Sequence, residues 1–181
     1  MTENKARLNL TQIATLLRAT PQTLNNELGG LGSEAMRWRP GPAEWCINEV
    51  VGHMIECDLH GFAGRIQTIL NEDNPLLPAW DIAGTVARRR DCERDGLELI
   101  AQLETMRQEN TRFITDLTPE LLARAGSHPN VGVLCVRDLI FEWIHHDRNH
   151  VKQILSTVQA YIWPELGNAQ RFFEPGFNPY L

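Results

Sequence analysis

Two histidines four residues apart, His146 and His150, stand in the run Ile144-His145-His146-Asp147-Arg148-Asn149-His150-Val151, and a third, His53, lies far upstream in another apolar-periodic segment. Residues i and i+4 of a helix project from one face, so two such imidazoles can close on one divalent ion when a third ligand arrives from a neighbouring helix. Three neutral imidazoles leave positions on the ion open and its full double charge available there, to acidify a water toward neutrality or to ionise and orient a thiol. Hydrolysis and S-transfer both use that chemistry. The HxxxH spacing alone is a weak signal, because it also arises by chance on helices.

The elements that must position these residues read as helices. Leu10, Ile13, Leu16, Leu17, Leu24 and Leu28 predict a first helix over Leu8 to Leu28, kinked or restarted at Thr20-Pro21, where an N-cap residue precedes a proline. After Gly29-Gly30 and Gly32, a rigid loop from Trp38 to Trp45 leads into a second helix from about Ile47 to Leu70, whose apolar face includes Val50, Val51, Met54, Ile55, Phe62 and Ile66. Asn71 to Pro75 stops it, and a linker rich in Pro and Leu runs to Trp80. A third helix is expected from about Arg89 to Asp116. Thr118-Pro119-Glu120 caps a short turn, Leu121 to Arg124, before a loop over Gly126 to Gly132. The fourth helix runs from Val136 to about Gln159 and carries the histidine pair. No segment shows strong strand alternation. The expectation is an all-α four-helix bundle with crossover connections over residues 1–160, with extended links between the second and third helices and between the third and fourth. The tail, 161–181, holds Trp163, Phe172, Phe173, Phe177 and Tyr180; it is too aromatic for a solvated linker and is expected to pack across the bundle or onto a partner subunit.

A helical wheel, advancing roughly 100° per residue, tests the histidines. Val136, Leu139, Ile140, Trp143, Ile144, Val151, Ile154 and Leu155 define the buried arc of the fourth helix; His150 falls inside it, His146 at its edge, and His145 on the solvent side without a ligand role. Asp147 lies near the middle of the arc, where an ionised carboxylate is costly without a partner. Either it accepts the other N–H of a ligand imidazole, or it pairs with Arg65 or Arg137. His53 sits roughly 60° outside its arc on the same wheel, on a flank shared with Cys57, His60 and Gly64. From the residues alone it is either the third ligand or an ordinary surface or core histidine. Cys57 could substitute as a soft ligand, although a free cysteine on a helix is more often a small core residue. Glu49 and Glu56 fall on the outward side of the second helix, which leaves Asp147 as the inward acid.

The 181 residues, 43% hydrophobic and 22% charged, suit one soluble domain with a sizeable core. A net charge of -6 argues against nucleic-acid binding, and the one basic run, Arg88-Arg89-Arg90, is followed at once by Asp91, Glu93 and Asp95. No apolar stretch approaches the roughly 20 residues that span a bilayer, and the N-terminus has no secretory pattern. Cys46, Cys57, Cys92 and Cys135 show no CxxC spacing and read as reduced thiols in a cytoplasm.

The run Trp45-Cys46-Ile47-Asn48-Glu49-Val50-Val51-Gly52-His53, followed by Val136-Arg137-Asp138-Leu139 and by His146-Asp147-Arg148-Asn149-His150-Val151-Lys152-Gln153-Ile154, resembles the DinB-like superfamily. That superfamily includes YfiT-like thiol transferases and mycothiol-dependent maleylpyruvate isomerases, and the likeness spans about Leu8 to Gln159. It implies a four-helix bundle holding a divalent metal on His53, His146 and His150. Asp58 matches an acidic residue often found five positions after the first histidine; on the wheel it lies in the apolar arc, where it can pair internally. The implied ion is zinc or nickel before iron, and the implied partner is a small-molecule substrate, including a low-molecular-weight thiol. The function expected is a metal-dependent thiol S-transferase or hydrolase. The alternatives are a non-catalytic stress-response or interaction bundle with a structural or vestigial metal, and a bundle whose histidines are plain core residues around a hydrophobic ligand. The apolar tail and the small residues on the second helix make a homodimer plausible.

Overall fold

A computed structural model describes residues 8–175. Four long helical stretches form the body: α1 (Leu10–Leu28), α3 (Ile47–Glu56) running through a π-helical segment (Cys57–Phe62) into α4 (Ala63–Asn71), α6 (Gly96–Asn110) and α8 (Val136–Ile162). Helix α1 packs on α6 and α8, and α3 packs on the same two, so α1 stands diagonally across from α3, and α6 from α8. The links from the first long helix to the second and from the third to the fourth are therefore the crossovers, whereas the second and third are neighbours joined by a long excursion. Short helices α2 (Ser33–Arg37), α5 (Ile82–Arg89) and α7 (Pro119–Ala123) lie in the connections. No helix among the described residues is long and apolar enough to cross a membrane.

Helix α1 is one continuous helix, not a restarted one. Its start is fixed by a capping box in which Asn9 and Gln12 satisfy each other's backbone N–H. Pro21 lies inside it and cannot donate to the Leu17 carbonyl four residues back. That carbonyl accepts from Arg107 Nη1 at 2.9 Å instead, and the Leu16 carbonyl accepts from Arg148 Nη2 at 3.0 Å. The proline is tolerated because Arg107, from another helix, takes up the carbonyl that it leaves unpaired.

The third long helix starts later than the sequence pattern implies. Asp95 caps α6 by accepting from the N–H groups of Leu97 and Glu98, and Arg90, in the left-handed region at φ 52°, breaks the chain between α5 and a 3-10 turn, Asp91–Glu93. The expected loop after α7 is instead a two-stranded antiparallel hairpin, β1 (Ala125–His128) and β2 (Gly132–Cys135). Four-residue strands are too short to show an alternation. Helix α8 extends to Ile162, and Leu155, read as core, is exposed. Beyond it, Trp163–Phe173 form 3-10 turns in which Trp163 meets Phe173, while Tyr161 meets Trp38 edge-on; Phe177 and Tyr180 lie outside the described residues.

Two apolar clusters fill the bundle. One gathers Ile13, Leu17, Phe62, Ile66, Leu139, Ile140 and Trp143; the other gathers Leu24, Leu28, Ile47, Val50, Met54, Leu99, Leu103 and Ile154. Between them every long helical stretch contributes one polar residue, Thr20, Asp58, Arg107 and Asp147, all buried. Helix α3 is buried on all sides, because α2, α5 and the Asp91–Glu93 turn cover the flank that faces away from the bundle. Gly52 permits this approach: a Cβ there would run into the Asp91 carboxylate. The same approach brings the Cys46 and Cys92 Cα atoms to 6.4 Å, and a disulfide joins them. The expectation of four reduced thiols is corrected for that pair, whose 46-residue separation carries no spacing motif; Cys57 and Cys135 are free.

Candidate metal centre

The covering of α3 settles where His53 points. It is 6% exposed and its ring lies 5.1 Å from that of Trp45, on the loop that enters the helix. Its Nε2 reaches to 3.2 Å from His146 Nε2, which in turn lies 3.1 Å from His150 Nε2. Three ligand nitrogens from two helices thus converge, all within 4.8 Å of one another. Nitrogens at metal–nitrogen distances of about 2.0–2.1 Å in a tetrahedral set stand roughly 3.3 Å apart, so the two nearer spacings fit one divalent cation with little movement. His150 Nδ1 donates to Gln153 Oε1 at 2.8 Å, which turns the lone pair of its Nε2 toward the other two rings. His53, His146 and His150 could hold a metal. His145 is exposed, contacts Asn149, and takes no part.

Burial lowers the affinity of these rings for protons. It pushes His53 down to about 4, helped by the charge on His150, and His146 down to about 3, helped by His150 and His53. His150 is lowered as well, again by burial, against the hydrogen bond it donates to Gln153 and the charge of Asp147. All three are neutral at pH 7, as coordination requires. In the unfolded chain the same imidazoles titrate near 6.5, so between about pH 6.5 and 4 the unfolded state takes up protons that the folded state refuses. Their stabilising contribution is present above pH 6.5 and lost as the pH falls through that window. For His53 the full loss is roughly 3 kcal/mol at about 1.4 kcal/mol per pKa unit. Urea unfolding of metal-free protein at pH 7 and pH 5 is expected to show about 2 kcal/mol of this loss, and the His53→Gln protein is expected to lose less; equal losses in the two proteins would refute it.

Cys57 belongs to the surroundings of the cluster. Its Sγ is 3.4 Å from His53 Nε2, and burial, followed by the nearby Asp58 charge, raises its pKa, so it persists as a thiol. Asp147 does not accept from a ligand imidazole and pairs with neither Arg65 nor Arg137. Its Oδ2 accepts from Thr20 Oγ1 at 2.7 Å and from Arg107 Nη1 at 2.5 Å, and its Oδ1 accepts from Arg107 Nη2 at 3.1 Å. Asp58 takes the opposite edge of the same guanidinium, from Nε and Nη2 at 2.8 Å each, and also accepts from Trp143 Nε1. With Leu17 O included, all five N–H donors of Arg107 are used. Burial alone would lower the Arg107 pKa; the attraction of Asp147 and Asp58 more than offsets it and holds the group charged. Glu49 and Glu56, expected on the outward side, are also tied: Glu49 is buried against Arg39, and Glu56 meets Arg89.

The histidines open on a cleft of about 380 Å³, walled by Phe62, Trp80 and Arg65 and by His128 and Asn130 from the hairpin, with Glu142 at its side. A larger hollow of about 610 Å³ adjoins it and shares Arg65 and Trp80, but none of the three histidines lines it. The hairpin and the 76–80 segment are joined by backbone hydrogen bonds, Leu77 N–H to Ser127 O and Ser127 N–H to Pro75 O, both at 2.8 Å. Arg107, Thr20 and the hairpin residues escaped the sequence reading. Arg107 had a visible signal, since it recurs with Leu99, Ile100 and Leu103 on the buried stripe of its helix.

A helical bundle with a convergent histidine trio facing a small cleft is the class that fold and site define. The family model of the DinB superfamily matches residues 16–154, and the chain belongs to that superfamily. It is similar to the uncharacterized protein YuaE of Bacillus subtilis, with 28% identity over 145 residues that cover 71% of this chain and 86% of that protein. It is also similar to a Halalkalibacterium halodurans protein named "Putative metal-dependent hydrolase BH0277", with 23% identity over 110 residues, 61% of this chain and 63% of that one. Among solved structures, YfiT from Bacillus subtilis, described as a probable metal-dependent hydrolase with an unusual four-helix bundle topology, superposes with a TM-score of 0.78 at 16% identity, over 88% of this chain and 91% of YfiT. That likeness establishes the fold.

Proposed function

We propose that the protein is a divalent-metal-dependent enzyme that acts on a small molecule, with His53, His146 and His150 as the metal ligands and zinc, nickel or iron as the ion. The observation that carries this reading is the convergence of three imidazole Nε2 atoms at the edge of a cleft sized for a small ligand. Structural zinc sites are closed by four protein ligands, whereas three leave a position for chemistry. When bound, such an ion supplies Lewis acidity and lowers the pKa of a water or thiol placed on it.

The chain's own residues set the conditions for that chemistry. Gln153 orients His150, and the buried Asp58–Arg107–Asp147 layer fixes the helical turns from which the ligands project. Phe62 and Trp80 provide apolar walls, and Glu142 and His128 are the cleft groups able to take up or return a proton during hydrolysis. Hydrolysis is the first reading and agrees with the name of the Halalkalibacterium relative, a metal-dependent hydrolase; esters and amides are the substrates to try. Thiol S-transfer is the second reading. It is favoured by the finding that none of the three imidazoles is hydrogen-bonded to a carboxylate among the described residues. The ion's charge is then undiminished at the site, and thiol ionisation needs no general base. A panel assay separates the two: metal-loaded protein is incubated with ester and amide substrates, and with low-molecular-weight thiols plus electrophiles. Turnover in one arm that is lost on chelation and restored by metal is the expected result. A protein that holds metal stoichiometrically and turns over nothing in either arm would return the non-catalytic reading.

A further inference from the structure

The histidine cluster accounts for one end of the cleft and leaves Arg65, on α4, without a role. Its guanidinium lies over the Trp80 ring, 5.4 Å from the centroid, and Nη2 donates to the Pro78 carbonyl at 3.1 Å. Its Nε is buried and donates to nothing, and among the described residues no carboxylate stands within ion-pair distance of it. The other arginines near this part of the fold differ. Arg89 holds Glu56 and Asp91, and Arg107 holds Asp58 and Asp147. Glu142 lines the same cleft and acts on Arg65 only at longer range, and burial lowers the Arg65 pKa against that attraction.

A half-buried arginine that lacks a counter-charge is an uncompensated cost to the fold, since donors removed from water without partners destabilise it. Stacked on an indole and tethered at one nitrogen, the planar fork is also held ready, so little further ordering is needed when an oxyanion arrives. Nη1 and the second hydrogen of Nη2 are the donors left for a ligand, and together they form the edge of guanidinium that accepts a carboxylate in bidentate fashion. Arg65 lies where the cleft meets the larger hollow. We propose that Arg65 is the anchoring residue for a carboxylate on the small-molecule substrate, whose reacting end lies at the three histidines. This deepens the function proposed above and rests on it for the position of the reacting end. The substrate class is therefore a short acid, with its reacting group at one end and a carboxylate at the other.

The test is equilibrium titration of wild-type, Arg65→Gln and Arg65→Lys proteins, zinc-loaded and metal-free, with short-chain mercaptoalkanoates and with the matching primary amides; metal content and unfolding midpoint are measured on each preparation. The wild type is expected to bind the acids roughly ten- to a hundredfold more tightly than the amides, the range of a charge-assisted hydrogen-bonded pair. In Arg65→Gln that preference is expected to fall to about twofold or less with metal content unchanged, and Arg65→Lys is expected to keep part of it, as a point charge without the fork. Equal affinity of the wild type for acid and amide, or a preference that survives in Arg65→Gln, would overturn the proposal. If Arg65→Gln does not fold, the wild-type preference and its reduction in Arg65→Lys decide. A protein that keeps the preference yet never holds metal would overturn the metal reading and leave Arg65 as the anchor.

Discussion

The His146→Ala protein is expected to lose its divalent ion while remaining folded. His146 is the hub of the trio, with its Nε2 at 3.2 Å from that of His53 and 3.1 Å from that of His150. Its removal leaves two imidazoles, and Asp147, spent on Arg107 and Thr20, is not free to replace it. Removing a residue that only orients a ligand costs roughly 10–100-fold in metal affinity, so loss of a ligand itself should cost more than that. Elemental analysis after dialysis against metal-free buffer should find a near-stoichiometric ion in the wild type and in His145→Ala, and almost none in His146→Ala or His150→Ala. Gln153→Ala should fall between, because it removes only the orienting bond to His150. His146 is half-buried, so circular dichroism should show an intact helical fold in the variant. Retention of metal by His146→Ala would sink the three-histidine assignment.

What the sequence discloses about this site depends on which residues share a helix. His146 and His150 are legible because one period relates them, and the same period removes His145. His53 is not legible in that way: a wheel for α3 puts it beside the apolar arc, and the helix is buried all round only because α2, α5 and the Asp91–Glu93 turn cover the outer flank. Two of those covering elements, α5 and the Asp91–Glu93 turn, lie in a polar, charge-dense stretch that shows no clear apolar period, so resemblance rather than pattern supplied the third histidine. The π-helical segment Cys57–Phe62 compounds the difficulty. Bonding such as Ala63 N–H to Asp58 O, five residues back, shifts the phase between α3 and α4, and a single wheel over both assumes a constant one. Asp58 and Asp147 were both visible as acids on apolar arcs. Two buried carboxylates demand a cation, and the third long helix carries one on its buried stripe, Arg107. Pairing demands across helices, rather than along one, would have found it.

That cation gives the second large effect. Arg107→Met should destabilise the protein by about 3–5 kcal/mol, the usual cost of leaving a buried charge without its partner. Two carboxylates share the guanidinium, and the Leu17 carbonyl freed by Pro21 depends on it as well, so Asp147 is left with Thr20 alone, Asp58 with Trp143 alone, and the carbonyl loses its arginine donor. The loss is not one of volume, since methionine fills much of the space against Trp143, whose ring lies 5.0 Å from the guanidinium carbon. The charge origin is testable by adding Asp58→Asn and Asp147→Asn to Arg107→Met. Amides carry no charge to strand, so the triple variant should regain a large part of the stability measured by urea unfolding, even though it has more substitutions. Failure of the triple variant to exceed Arg107→Met would assign the effect to packing instead. The layer joins all four long helices at the level where two apolar clusters meet, and Asp147 lies between the two histidines of α8. A helix that slips by one turn would break the layer and the histidine trio together. The triple variant should therefore recover stability more fully than metal affinity, because amides and methionine restore neutral packing without restoring the fixed register that the charged layer imposes on the ligands.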